Sequence, residues 1–294
     1  MPPNSVSVRV PATSANLGPG FDSLGLALDL WATITLATTP LSRDPDSLAR
    51  LALTAARGLY QHVGRAAPPS LAVRYQGDIP AARGLGASAV ARVGGLLAAD
   101  ALAGSGLDRE ELLALAASLE GHADNAAPAL FGGLQVAVRD GDRFLHVGVP
   151  LPHGLKAVLF VPELRMPTRE SRRLLPPALS RADAVHNIGR AALLVAALAA
   201  GRFDLLDAAT GDRLHQPARA KLFPAMPAIF DAARAAGAHC AYLSGGGSTI
   251  CALCTENEQG IADAMAEAAR SREVVAETMI TAPTERGAEI VEAA

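Results

Sequence analysis

Residues 79–90 read IPAARGLGASAV: a proline near the start, then two glycines, then Ser88 at the head of a run of strong helix formers. The pattern predicts a glycine-rich turn feeding a helix over residues 88–102. Backbone N–H groups at a helix start have no intrahelical partner and carry the positive end of the helix dipole. Glycines just before such a start let the main chain approach an anion closely. The plainer reading is a tight strand-to-helix connection; the sharper one is a cradle for phosphate. No GxxxxGK[ST] or GxGxxG is present, so it is neither a Walker A loop nor a dinucleotide fingerprint.

Working outward, residues 71–75 read as a short strand entering the loop, and residues 48–63 have helical periodicity. Residues 5–10 alternate as a strand, and residues 29–38 form another. Gly94 and Gly95 lie inside the helix after the loop, where each costs about 1 kcal/mol against alanine, so close packing there is expected. Asp108 with Glu111 resembles a capping box that opens a helix ending at Gly121. Residues 132–138 and 144–149 read as a hairpin, and residues 156–162 (KAVLFVP) as a buried strand. Prolines and a glycine at residues 150–154 suggest a boundary, giving domains 1–152 and 153–294. Beyond it come helices at 182–200, 203–209 and 226–236, strands at 238–243 and 249–255, a helix to about Arg272, and a strand at 274–281. Hairpins mixed with alternating strands and helices point to an α+β fold.

The chain has 294 residues, 50% hydrophobic and 19% charged, with a net charge of -3. That balance offers no electrostatic footprint for nucleic acid. No basic amphipathic helix appears, and the longest apolar stretch, residues 191–200, is short for a bilayer, so no membrane partner is expected. Three cysteines in a long chain, without a charged and apolar leader at the start, fit a reducing, cytoplasmic setting. Cys251 and Cys254 form a CxxC within a strand-like run, where they face opposite sides and read as packing residues.

Two further stretches share the small, polar character of the loop. Residues 244–249 read SGGGST, and residues 11–28 read PATSANLGPGFDSLGLAL. Together the three resemble the GHMP small-molecule kinases over essentially the whole chain. EGHADNAAPALFGG (120–133), PTRESRRLLP (167–176), HNIGRAALLVAAL (186–198) and DRLHQPARAKLFP (212–224) match the homoserine kinase branch in particular. The resemblance implies a ribosomal S5 domain 2-like N-terminal domain and a ferredoxin-like C-terminal domain. It also implies phosphorylation of a small alcohol by ATP with Mg²⁺, and a homodimer. Ala87 and Ser248 depart from the usual serine and proline of the family, without removing any backbone amide from the loop.

Carried over residue by residue, the resemblance places nucleotide on Pro80, Ala81, Ala82, Arg83, Gly84, Leu85, Gly86, Ala87, Ser88, Ala89 and Val90. Ser88 and Glu120 match the positions that hold Mg²⁺; a solvated helix-end carboxylate is the plainer reading of Glu120. Arg190 and Arg219 match the substrate-carboxylate arginines, against ordinary surface arginines. Asn16, Asp22 and Asn125 match positions that seat an amino acid and its hydroxyl, although turn capping also explains Asn16 and Asp22. Thr168 is placed near the transferring phosphoryl group. Asp124 is either a general base or an anchor for the substrate ammonium. Positioning is favoured, because a loose phosphoryl-transfer transition state needs little early deprotonation. His122 two residues before Asp124 reads as structural, since that spacing separates the pair on a helix, though not in a loop.

The function expected is phosphorylation of the side-chain hydroxyl of L-homoserine to O-phospho-L-homoserine, a step of threonine biosynthesis. Another GHMP kinase, such as a mevalonate-type enzyme, is the alternative within the class. A non-catalytic nucleotide-binding regulator is the alternative outside it.

Overall fold

The computed structural model describes residues 3–39 and 45–294, with the side chains of Thr168 and Arg169 outside the described set. The first half runs β1 (Ser5–Ala15), β2 (Leu24–Ala37), α1 (Ser47–His62), β3 (Ala72–Gly77), α2 (Ala87–Ala103), α3 (Arg109–Glu120), α4 (Ala126–Phe131), β4 (Leu134–Asp140) and β5 (Arg143–Val149). The second half runs β6 (Lys156–Pro162), α5 (Thr168–Arg173), α6 (Arg181–Ala199), a 3₁₀ turn at Phe203–Leu205, α7 (Leu206–Ala209), α8 (Gln216–Arg219), α9 (Met226–Ala235), β7 (Cys240–Leu243), β8 (Ile250–Cys254), α10 (Glu258–Arg270), β9 (Ala276–Thr281) and β10 (Glu289–Ala293).

Two antiparallel sheets result. One has the order β10-β1-β2-β4-β5 with β3 also on β2; the other has the order β7-β8-β6-β9. The last strand therefore crosses back from the second half to pair with β1. β1 is longer than its alternating pattern predicts, because Pro11 sits where the β1–β2 register shifts and its missing N–H breaks no regular ladder.

Strands β6, β7 and β8 of the second sheet are buried on both faces, which explains the unbroken apolar run of β6. Ala157, Leu159 and Val161 join the large core shared with the first sheet, while Val158 and Phe160 face a smaller core with residues of α9 and α10. Cys251 and Cys254 divide the same way, one in each core, as packing residues on opposite faces of β8.

α2 is buried almost all round. A Cβ at Gly94 would lie 2.7 Å from Ile34 Cδ1, and one at Gly95 would lie 2.3 Å from the Ala52 carbonyl oxygen, so both glycines are where the helix meets its neighbours most closely. Asp108 and Glu111 form the full capping box, and Gly121 closes α3 in the left-handed conformation. α6 is long and apolar enough to cross a bilayer by length and composition alone. Arg190 at its middle would be costly in hydrocarbon, by about 2.5–3.5 kcal/mol.

Candidate active site

A cleft of about 320 Å³ opens where the glycine loop, the β1–β2 loop and the β7–β8 turn converge. Residues 80–88 form one wall, with Asn16, Asp22, Glu120, Asp124, Asn125 and Arg219 around the rest. Leu48 and Leu51 of α1 supply an apolar flank, and Gly245 and Gly246 close the far side.

The loop takes its shape from positions where a side chain has no room. Gly84 has φ +80°, and a Cβ there would lie 2.1 Å from the Ser244 carbonyl oxygen; Gly86 has φ +68°, with Thr13 Oγ1 at 1.9 Å. Ser244 Oγ donates to the Gly84 carbonyl at 2.6 Å and lies 2.8 Å from Ser14 Oγ, tying loop, β1 and β7–β8 turn together. Arg83, also part of that wall, ties the loop to the end of β6: its Nε and Nη2 donate to the carbonyls of Pro162 (2.8 Å) and Glu163 (2.7 Å). Ala89 and Val90 are buried in the core of α2 and do not line the cleft, and Val90 N–H already bonds the Gly86 carbonyl at 2.9 Å. The unpaired amides of the helix start are thus those before Val90.

Ser88 Oγ donates to Glu120 Oε2 at 3.2 Å, while Glu120 Oε1 pairs with Arg92. Glu120 is therefore not an idle helix-end anion; Arg92 offsets the dipole mismatch at the end of α3. Hydroxyl and carboxylate oxygens together form a hard donor set.

Residues 121–125 are a loop between α3 and α4, not a helix, so His122 turns back on Asp124 and Nδ1 contacts Oδ1. Burial lowers the His122 pKa, but the bond and charge of Asp124, with Asp22, carry it above the ordinary value. Asn125 Nδ2 donates to the same Asp124 oxygen at 3.2 Å, and Asn125 Oδ1 accepts from Thr13 at 2.8 Å. Asp124 Oδ2 has no hydrogen bond among the described residues.

Asn16 does the work of a turn: its Oδ1 accepts from Asp22 N–H at 3.0 Å, and its Nδ2 donates to the Gly245 carbonyl at 2.8 Å. Asp22 receives a two-pronged ion pair from Arg172, at 2.9 and 2.5 Å. Asp22, His122 and Asp124 hold ligand atoms within 4.8 Å of one another, a grouping that also suits a metal ion. Arg172 already occupies both Asp22 oxygens, and Ser88 and Arg92 between them occupy both oxygens of Glu120.

Arg219 is almost fully buried, with Nη1 donating to the Gly245 carbonyl at 3.0 Å and Nε without a partner among the described residues. Burial and the neighbouring Arg172 lower its pKa to about 10. Arg190, by contrast, lies on α6, half-buried and not among the residues that line the cleft. Arg172 of α5 does line it, and stacks over Phe21 at 5.1 Å beside Arg219 at 5.5 Å. The signal for Arg172 was the stretch PTRESRR, but three arginines stand in it and none has a periodicity that singles it out. Pro167 lines the cleft at the start of α5; the Thr168 side chain lies outside the described residues.

Profiles for "GHMP kinases N terminal domain" and "GHMP kinases C terminal" match residues 30–133 and 194–271. The chain thus has the two-part architecture of an ATP-dependent small-molecule kinase acting on a hydroxyl. It is 41% identical to the homoserine kinase of Moorella thermoacetica over 97% of this chain and 99% of that one. With the homoserine kinase of Symbiobacterium thermophilum it shares 48% identity over 74% of each. The crystal structure of the Cytophaga hutchinsonii homoserine kinase superposes with a TM-score of 0.86 at 28% identity, covering 98% of each chain. The chain belongs to the homoserine kinase family of the GHMP kinases.

Proposed function

We propose that this cleft transfers the γ-phosphoryl group of ATP to the side-chain hydroxyl of L-homoserine, giving O-phospho-L-homoserine for threonine biosynthesis. The observation that carries the reading is a cleft with two charged poles. Arg172 and Arg219 form the positive one, and among the described residues a buried N–H of Arg219 has no partner. Asp22 and Asp124 form the negative one. A guanidinium fork suits a carboxylate, and a carboxylate suits an ammonium, so the cleft is complementary to a small zwitterion.

The free amides at the start of α2 face the wall where the triphosphate would lie, and Leu48 and Leu51 supply an apolar surface for the base. Ser88 and Glu120 would hold Mg²⁺, whose chemistry is neutralisation of phosphate charge. Phosphoryl transfer then depends on positioning and electrostatics more than on covalent help. Asp124 spends Oδ1 on His122 and Asn125, while Oδ2 has no hydrogen bond among the described residues, which supports the anchor reading over the general-base reading. Asn125, fixed by Thr13, is placed to hold the acceptor hydroxyl.

ADP release measured with L-homoserine, mevalonate and galactose tests the assignment. Turnover of mevalonate or galactose without turnover of homoserine overturns it. Nucleotide binding with no turnover of any alcohol would instead favour a regulator. A cytoplasmic homodimer belongs to the same reading through the family resemblance, and sedimentation showing only a 30.1 kDa species would remove it.

A further inference from the structure

His215 is fully buried, and both of its ring nitrogens have obligate partners. Nε2 lies 2.7 Å from the Gly18 carbonyl oxygen, and Nδ1 lies 2.8 Å from Arg219 Nη1. A carbonyl has no proton to give, so Nε2 carries the hydrogen; a guanidinium has no lone pair to accept with, so Nδ1 is bare. The neighbours therefore dictate one neutral tautomer. Burial acts in the same sense, lowering the pKa to about 4 against the pull of Asp212 and with the help of Arg219.

The local sequence builds this bridge. Asp212 accepts the N–H groups of Leu214 (2.9 Å), His215 (2.9 Å) and Gln216 (2.7 Å), fixing the turn that opens α8. His215 and Arg219 are four residues apart, on one side of that turn. At the other end, Gly18 (φ +83°) sits so close to the Thr210 carbonyl that a Cβ would lie 2.2 Å from its oxygen. The loop that follows carries Phe21, whose ring centroid is 5.4 Å from that of His215, and then Asp22.

We infer that His215 is a positioning residue for acceptor recognition, a neutral Nε2–H imidazole that holds Arg219 and the loop of residues 18–22 in one register. It thereby sets the spacing between the positive and negative poles of the cleft. The inference rests on the proposed reading of Arg219 as carboxylate receptor.

The test compares kcat/KM for L-homoserine with that for 3-aminopropan-1-ol, the same acceptor without its carboxylate, in the full-length enzyme. His215→Gln keeps a donor for Gly18 but no acceptor at the Nδ1 position. It lowers the homoserine preference about 10-fold or more, the loss of one charged hydrogen bond, and leaves KM for ATP unchanged. His215→Asn restores an acceptor near that position but no donor for Gly18, so it recovers only part of the preference. Equal preferences in the wild type and both variants overturn the inference. Arg219→Gln separates the two readings: if it leaves the preference intact, the carboxylate-receptor reading fails. If it abolishes the preference while His215→Gln does not, only the role of His215 fails. Imidazole ¹⁵N shifts of the wild-type enzyme give a second measurement that needs no variant. The ring with contacts to Phe21 stays neutral with its proton on Nε2 down to pH 5.5, and a charged ring or an Nδ1–H tautomer sinks the inference.

Discussion

Arg172 grips both carboxylate oxygens of Asp22, at 2.9 and 2.5 Å, and so joins α5 to the β1–β2 loop across the mouth of the cleft. Burial works against the Arg172 charge, but Asp22 raises its pKa above the ordinary value. Both side chains are about one-third exposed (34% and 32%), open enough for an incoming zwitterion to exchange this one ion pair for two.

Arg172→Lys keeps the charge and loses the fork, so kcat/KM for homoserine falls about 10- to 100-fold, mostly through KM. Arg190→Ala, outside the cleft, changes the same constant less than about twofold. Steady-state kinetics on the two variants check this. The reverse ranking would return the carboxylate to Arg190.

Glu120→Gln removes the charge that would bind Mg²⁺ and leaves Arg92, whose pKa burial already lowers, without its anion. The Mg²⁺ concentration for half-maximal activity rises about 10-fold, the cost of one charged ligand contact. A titration of activity against Mg²⁺ that superposes on the wild type would place the ion elsewhere.

Gly84→Ala puts a methyl group 2.1 Å from the Ser244 carbonyl oxygen at a φ of +80°. The loop must shift, so stability falls by about 2 kcal/mol or more and ATP binding weakens. Gly58, inside α1, has nothing within 4 Å of its Cβ site, so Gly58→Ala is neutral or stabilising by up to about 1 kcal/mol. Urea unfolding and calorimetric ATP titration read both effects, and similar values for the two variants would contradict the packing argument.

Stability depends on pH through histidines of opposite sign: His122 is raised, while His215 and, through burial, His239 are lowered. The folded pKa of His215, about 4, lies below the ordinary 6.5. Between those values the unfolded chain binds a proton that the folded chain does not, so stability falls as pH drops, by about 3 kcal/mol over the window. His122 is raised, so its contribution is complete below pH 6.5 and is lost as pH rises through its folded value. Asp212, Arg219 and Asp22 are the charged groups that face His215. The urea midpoint is therefore lower at pH 5 than at pH 7, and His215→Asn removes most of that difference. An unchanged pH slope in the variant rules out His215 as the source.

Elements with a strong period were legible before any coordinates. α1, α2, α3, α6 and β6 lie within a residue or two of their expected bounds, because one buried face or a fully buried strand imposes its own spacing. α5, α8 and β10 escaped notice. α5 and α8 are one to two turns long, too short to show a period, and β10 is a strand only because β1 presents an open edge to it.

The sequence by itself determined the three small, polar loops, the α+β class and the acidic and serine positions that resemble a kinase site, since backbone freedom and helix-start chemistry are local properties. Only the tertiary structure decided that Arg172 and not Arg190 enters the cleft, that His122 reaches Asp124, and that His215 lies between Gly18 and Arg219. Each of these depends on how segments far apart in sequence, or a loop of unpredicted shape, are oriented, and burial fixes that orientation through packing that no single stretch encodes.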